Sequence, residues 1–185
     1  EEKRAREQAR FKLIFDTVPV GIAFNTIHAD GSVSRNINDA HLRICGLTRD
    51  QHNEPEIYRQ ITHPDDRELQ NPFMEQVRAG LIKQFSVEKR YVHRDGRIVW
   101  VNFSYQRETY PDGAIEELTT LVDITERRQS EEHYREIFNA TGEAIFIHNP
   151  ATGKVDDVNQ RAVEMFGAPR HALLNGNPDA FSEGV

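Results

Sequence analysis

Eight histidines, five tyrosines and a single cysteine are the side chains of this 185-residue chain best suited to chemistry, and their spacing withholds most of it. No two histidines stand at the His-Glu-x-x-His spacing that brings two imidazoles onto one helical face around a metal, so all eight are assigned surface or structural roles. His133 is followed by Tyr134, Arg135 and Glu136, which is not the sequence around a phosphoaccepting histidine, and it reads as solvated. Cys45 alone permits neither an internal disulfide nor a thiolate zinc cluster. There is no glycine-rich phosphate loop, no Gly-Gly-Asp-Glu-Phe cyclase signature and no nucleophile with a base beside it. No catalytic residue and no metal ligand is therefore assigned. Asn102-Phe103-Ser104 and Asn139-Ala140-Thr141 match glycosylation sequons, but no signal peptide precedes them, and they are read as chance.

Bulk properties narrow the class further. Lys plus Arg number 23 against 30 Asp plus Glu, a net charge of −7, which argues against a simple electrostatic nucleic-acid binder. With 37% hydrophobic residues and a mean hydropathy of −0.68, the chain can bury a core under a heavily solvated surface, as one or two soluble domains do. No apolar run approaches the ~18 residues that span a bilayer, so no direct membrane contact is expected, and a cytoplasmic location is the default. The chain begins without Met and in mid-helix, and is read as a fragment of something longer.

The elements that must position any site follow from an internal repeat. Residues 11–24 (FKLIFDTVPVGIAF) match residues 134–147 (YREIFNATGEAIFI), and residues 37–49 match residues 158–170, pairing Asn38 with Asn159, Gly46 with Gly167 and Arg49 with Arg170. Phe11, Ile14, Phe15 and Val18 are spaced as one face of a helix, and Tyr134, Ile137 and Phe138 begin the same pattern. In the first copy, residues 20–26 and 33–37 read as a hairpin about Asp30-Gly31. Asn38 or Asp39 caps a helix that Gly46 ends. His63-Pro64-Asp65-Asp66-Arg67 opens a helix expected to run to about residue 79 and stop at Gly80. Three β-rich runs joined by two Asp-Gly turns then form a meander, and a charged helix follows Asp123.

Two short strands, small helices, three longer strands and an outgoing charged helix, in tandem, resemble PAS domains with their C-terminal PAC portion. The residues that carry this are His63-Pro64-Asp65-Asp66-Arg67, Arg90 with Asp95-Gly96, Trp100, and, most specifically, Asp123-Ile124-Thr125-Glu126-Arg127. The resemblance implies an α+β fold, a five-stranded antiparallel sheet with helices on one face enclosing a small-molecule pocket, flanked by charged signalling helices. It divides the chain into an incoming linker helix (1–10), a PAS domain with its PAC portion (11–123), a linker helix (124–140) and an incomplete second PAS domain (141–185). Alternation sorts Val99, Val101, Phe103 and Tyr105 onto one strand face and Ile98, Trp100, Asn102 and Ser104 onto the other. By resemblance the first set faces the helices, as do Phe85, Val87 and Tyr91 before it and Thr119 and Leu121 after it. The pocket candidates are these residues together with Phe73 and Val77 from the helix after Arg67, and Asn25, which with Tyr91, Tyr105 and Thr119 can orient a polar ligand group. The same side chains can equally fill a dry core.

The cofactor remains unknown. Covalent-adduct flavin chemistry is disfavoured because Cys45 sits in Arg-Ile-Cys-Gly rather than the Asn-Cys-Arg-Phe-Leu-Gln-like helix it needs. Haem is disfavoured because residues 68–79 hold no axial histidine; a non-covalent flavin stays open. The implied function is a non-catalytic sensory or regulatory module that binds a small molecule or partner. It relays a conformational signal through the helix after Asp123 to an output domain in the same polypeptide, a histidine kinase or a cyclic-dinucleotide enzyme. The alternative is a ligand-free scaffold that dimerises or spaces domains. The helical seam through Ile124, Glu131, Tyr134 and Phe138 has apolar ends and a polar middle, a weak pairing surface able to shift register. A homodimer through the flanking helices is therefore expected. The second hairpin, with no meander after it, is expected to need cover over Ala144, Phe146 and Val158 from the first copy or another chain, or else to be poorly ordered.

Overall fold

The computed structural model describes residues 2–54 and 56–175. Two compact units part between Glu126 and Arg127. In the first, helix α1 (Glu2–Thr17) leads into a hairpin of β1 (Gly21–Ile27) and β2 (Val33–Ile37), then into three short helices, α2 (Asp39–Cys45), α3 (Ile57–Ile61) and α4 (Asn71–Arg78). The meander β3 (Gln84–Val92), β4 (Ile98–Thr109) and β5 (Ile115–Asp123) completes an antiparallel sheet of order β2-β1-β5-β4-β3. The sheet closes because β5 pairs with β1, placing Ala23 opposite Thr119 and Gly21 opposite Leu121.

All three helices pack on one face of this sheet. Ile44, Cys45 and Leu47 from α2 and its end, and Tyr58 and Ile61 from α3, meet Tyr91, Val99, Val101 and Leu121. Val77 and Met74 of α4 meet Phe85 and Tyr105. The register pairs Phe85, Val87, Lys89 and Tyr91 with Tyr105, Phe103, Val101 and Val99, so these eight side chains share the covered face. On the open face Arg90 lies over the Trp100 ring at 5.4 Å. The helix expected to run unbroken from Asp65 is two elements: a single 3₁₀ turn (Pro64–Asp66) and, separately, α4. Pro72 lies in the first turn of α4, where its missing N–H is harmless, but one continuous helix would set its ring against the carbonyl of Glu68. The 3₁₀ turn is held to the sheet instead: Asp66 accepts from the Arg90 backbone N–H at 2.7 Å and its Nε at 2.9 Å.

Asn38 joins the parts. Its carboxamide oxygen accepts from the backbone N–H of Ile22 at 2.8 Å and of His41 at 2.9 Å. Its amide donates to the carbonyls of Phe15 and Val20, both at 2.9 Å. One buried side chain thereby ends α1, starts β1 and caps α2. Eight residues on, Gly46 closes α2 at φ +69°, where a Cβ would lie 2.4 Å from the His93 ring.

Within the second unit, α5 (Thr125–Ala140, which begins at the end of the first) is followed by β6 (Phe146–His148), β7 (Val155–Val158), α6 (Gln160–Phe166) and α7 (Arg170–Asn175). Asn159 repeats the bracket: it accepts from Ile145 and Ala162 and donates to the carbonyls of Phe138 and Glu143. The cover expected from outside this segment is supplied from within it. Val155 and Val158 bury with Ala162 of α6 and Leu173 of α7, and Ala144 and Phe146 pack against that cluster. Helix α7 was not legible in the sequence, and it is what changes the outcome.

Asn38→Ala leaves two carbonyls and two N–H groups without their partner in a buried place, and is expected to cost at least about 2 kcal/mol. Asn38→Asp, which turns a donor into an oxygen facing two carbonyls, is expected to cost more. Urea denaturation of the two variants checks both the size and the order.

Candidate functional site

Beneath the short helices the sheet leaves a cavity of about 220 Å³. Its walls come from seven elements of the first unit: Ala23 and Asn25 on β1, His41 on α2, His52 and Tyr58 around α3, Gln70 and Met74 at α4, Lys89 and Tyr91 on β3, Phe103 and Tyr105 on β4, and Thr119 on β5. The volume lies below the ~300–1,000 Å³ of pockets for drug-sized ligands, which fits a smaller occupant.

Five of the eleven residues expected from the sequence line it: Asn25, Tyr91, Phe103, Tyr105 and Thr119. The other six face the same way but do not line it. Val101 and Leu121 are fully buried in the packed core with Cys45 and Val99, because α2 and α3 sit directly on that end of the sheet. Val77, Phe85 and Val87 form a second packed cluster under α4. Phe73 is 37% exposed and stacks on Phe85 with ring centroids 5.3 Å apart. Cys45 stays in the core rather than the wall, its thiol pushed up to about 12 by burial.

The basic side chains of the wall were not anticipated. His41 and His52, read as surface or structural residues, both line the cavity. The α2 cap at Asn38 turns Ala40 and His41 inward, and α2 approaches β1 so closely that a Cβ at Gly21 would lie 2.8 Å from the His41 backbone. His41 is 2% exposed, yet neither of its ring nitrogens has a hydrogen-bond partner among the described residues. His52 Nδ1 is hydrogen-bonded to the Tyr58 hydroxyl, whereas its Nε2 is also buried and unmet. Lys89 is 3% exposed. Its Nζ donates to Gln70 Oε1 at 2.6 Å and lies 4.2 Å from the Phe103 ring centroid and 5.0 Å from that of Tyr91. The strand alternation that selected Phe85, Val87 and Tyr91 points Lys89 inward too, a signal available in the sequence but set aside for a charged residue.

Burial governs the protonation of these groups. It pulls the Lys89 ammonium down to about 8, so the side chain is still largely cationic at neutral pH. It pulls His41 to about 3, with His52 opposing its charge as well, and lowers His52 in the same sense. It holds the Tyr58 and Tyr91 phenols above their ordinary value. Tyr105 is also raised, by burial and by donating to Glu117 at 2.7 Å. The cavity thus presents one cation among neutral donors and acceptors. Among the described residues no set of three or more His, Cys, Asp or Glu side chains is placed to hold a metal.

A family model described as the PAS fold matches residues 35–122, and a second, described as a PAS domain, matches residues 132–182. The chain belongs to the PAS family, with two PAS regions in tandem. Among solved structures, the PAS domain of a protein from Colwellia psychrerythraea is 20% identical, with a TM-score of 0.50 over 65% of this chain and 98% of that one. An RNA-binding light-oxygen-voltage receptor is 15% identical, with a TM-score of 0.53 over 72% of this chain and 38% of that one. These likenesses show the fold. A curated relative, the probable diguanylate cyclase DgcE of Escherichia coli (strain K12), is 25% identical over 129 residues, covering 64% of this chain. The match spans 11% of that protein. PAS regions are sensory domains found in kinases and diguanylate cyclases. No helix among the described residues is long and apolar enough to cross a membrane.

In the folded PAS core His41 stays neutral down to about pH 3, whereas in the unfolded chain it protonates near the ordinary ~6.5. Between those values the unfolded state binds more protons, so stability falls as pH falls. Thermal unfolding is expected to show this slope from about pH 7 to about pH 5, with His52 adding in the same direction. His41→Leu should flatten the slope and leave stability at neutral pH unchanged or higher, since no side-chain hydrogen bond is lost. A loss above about 1 kcal/mol at neutral pH would contradict the unmet state of the ring.

Proposed function

We propose that this chain is a non-catalytic sensory module in which the cavity of the first PAS region takes up a small molecule. Its occupancy biases α5, and through α5 an output domain of the histidine kinase or cyclic-dinucleotide type in the same polypeptide. The cavity itself carries the reading: it has an apolar floor and buried imidazole nitrogens that no group among the described residues satisfies, where a ligand-free scaffold has no use for unmet polar atoms in its core. Support for the relay comes from β5. Thr119 stands in the cavity wall, and the strand runs directly into the junction that begins α5. There Asp123 Oδ1 accepts from the Thr125 N–H at 2.9 Å, Thr125 Oγ1 accepts from the Trp100 N–H at 3.0 Å, and the Ile124 N–H donates to the Trp100 carbonyl at 2.9 Å. A shift of β5 against β4 would act on the helix start through these three bonds. The output type rests on the curated relative, which its name describes as a cyclase.

Small apolar cavities take up xenon. Under xenon pressure the methyl resonances of Ala23 and Met74 are expected to shift in the native chain, and that of Met74 to stay in place in Ala23→Leu, which fills the space. Amide exchange in α5 is expected to differ between the native and filled cavities. Absence of both effects would favour the scaffold.

The dimer is proposed on the same footing. Phe11 and Ile14 of α1 are 60% and 49% exposed, and Ile137 of α5 is 57% exposed, whereas Phe15, on the same face of α1 by its spacing, is buried. A second copy of the chain is the occupant that would cover these helix faces. Light scattering should report a dimer, weakened by Phe11→Glu with Ile14→Glu. A monomer at high concentration in the unaltered chain would count against it.

A further inference from the structure

The cavity also constrains the chemistry of what it binds. Lys89 is a desolvated ammonium, and a buried cation ordinarily has a carboxylate beside it. Among the described residues Lys89 has no carboxylate within ion-pair distance. Asp66, the carboxylate whose charge bears on it, is engaged by the backbone, Nε and Nη2 of Arg90. Glu117, which reaches the wall through Tyr105, accepts that hydroxyl. The remaining titratable neighbours are the Cys45 thiol and the Tyr58 and Tyr91 phenols, all held neutral by burial, and the two imidazoles, both biased towards neutrality. Of the three N–H donors of Lys89, one goes to Gln70. The unmet ring nitrogens of His41 and His52 belong to the same wall.

A single cation with spare donors, a neutral imidazole N–H and an apolar remainder formed by Ala23, Met74 and Phe103 ask for one negative charge on a compact apolar body. A phosphate dianion would want a second cation or a cluster of backbone amides, and the wall has neither arginine nor glycine. We propose that the cavity binds a small monocarboxylate whose carboxylate lies between the Lys89 ammonium and the His41 imidazole, with its apolar body against Met74 and Phe103. This rests on the reading of the cavity as a ligand site and goes beyond it by naming the ligand's chemical class.

Calorimetric titration of the whole chain with benzoate and with benzamide, its uncharged analogue of nearly the same shape, tests the charge. Benzoate is expected to bind at least tenfold more tightly than benzamide. Lys89→Met, which keeps the length of the stem, is expected to abolish that preference while retaining benzamide binding, and His41→Leu to reduce it. Equal affinity for the two compounds would overturn the anion assignment and leave the cavity as a site for neutral molecules. A preference untouched by both substitutions would place the anion elsewhere and overturn it also. Binding of neither compound to a chain that admits xenon would overturn it again, whereas exclusion of xenon as well would remove the underlying ligand-site reading. Should Lys89→Met fail to fold, the ε-methylene resonance of Lys89 in the native chain reads the same contact. Benzoate should raise its titration midpoint, and an unmoved midpoint would refute the proposal.

Discussion

A buried asparagine that satisfies four backbone groups at once is the constraint from which the first PAS region is built. Each helix end and strand start that meets inside a protein brings N–H and carbonyl groups with no regular partner, and these are costly unless bonded. Asn38 meets such groups from α1, β1 and α2 with one carboxamide. Only Asn or Gln offers two donors and an acceptor on one planar group, and Gln adds a rotatable bond that a fixed three-way junction does not favour. The chain uses the device twice, since Asn159 does the same for α5, the entry of β6, and α6.

The position of the cavity follows from that junction. Because Asn38 both caps α2 and holds the entry of β1, the first turn of α2 lies on β1 at a distance only Gly21 tolerates, and His41 is directed inward. Further along the sheet, α4 covers Phe85 and Tyr105, with Pro72 setting where that helix can begin. Between the two packed clusters a gap remains, walled by Lys89, the two histidines and Tyr58 as well as by Met74 and Phe103. A core filled for stability alone would put Leu or Phe here. Keeping an ammonium and unmet imidazoles in that place costs stability, and a ligand that met them would supply compensating bonds.

The opposite face of the sheet handles charge differently. Arg90, one residue from Lys89, points the other way, pairs with Asp66 at 2.6 Å and lies over Trp100. Two adjacent cations on one strand thus have opposite fates. One is neutralised and clamps the 3₁₀ turn to the sheet, which accounts for the His-Pro-Asp-Asp-Arg and Arg-Tyr motifs as structural. The other, Lys89, has no carboxylate within ion-pair distance among the described residues.

How much of this was legible in advance depends on the range of the interactions concerned. The repeat, both hairpins, the meander and the caps at Asn38, Gly46, Asn159 and Gly167 are written in short-range patterns: period-two alternation, Asp-Gly turns, and asparagine or glycine at helix ends. The sorting of the meander into two faces was legible for the same reason, because alternation is a property of the strand itself, and the resemblance supplied which face is inward. Which inward residues border a void and which are packed solid was not. Val101 and Phe103 have the same parity, and only the seating of α2 and α3 over one and not the other puts Val101 in the core and Phe103 in the wall. The inward turn of His41 likewise depends on a close approach between α2 and β1, and α7, which covers Val158, depends on a partner surface rather than on its own six residues. Local chemistry thus determined the elements and the faces of this chain. The packing of one element on another, which no local pattern encodes, decided where the cavity lies and that its wall carries Lys89 and His41.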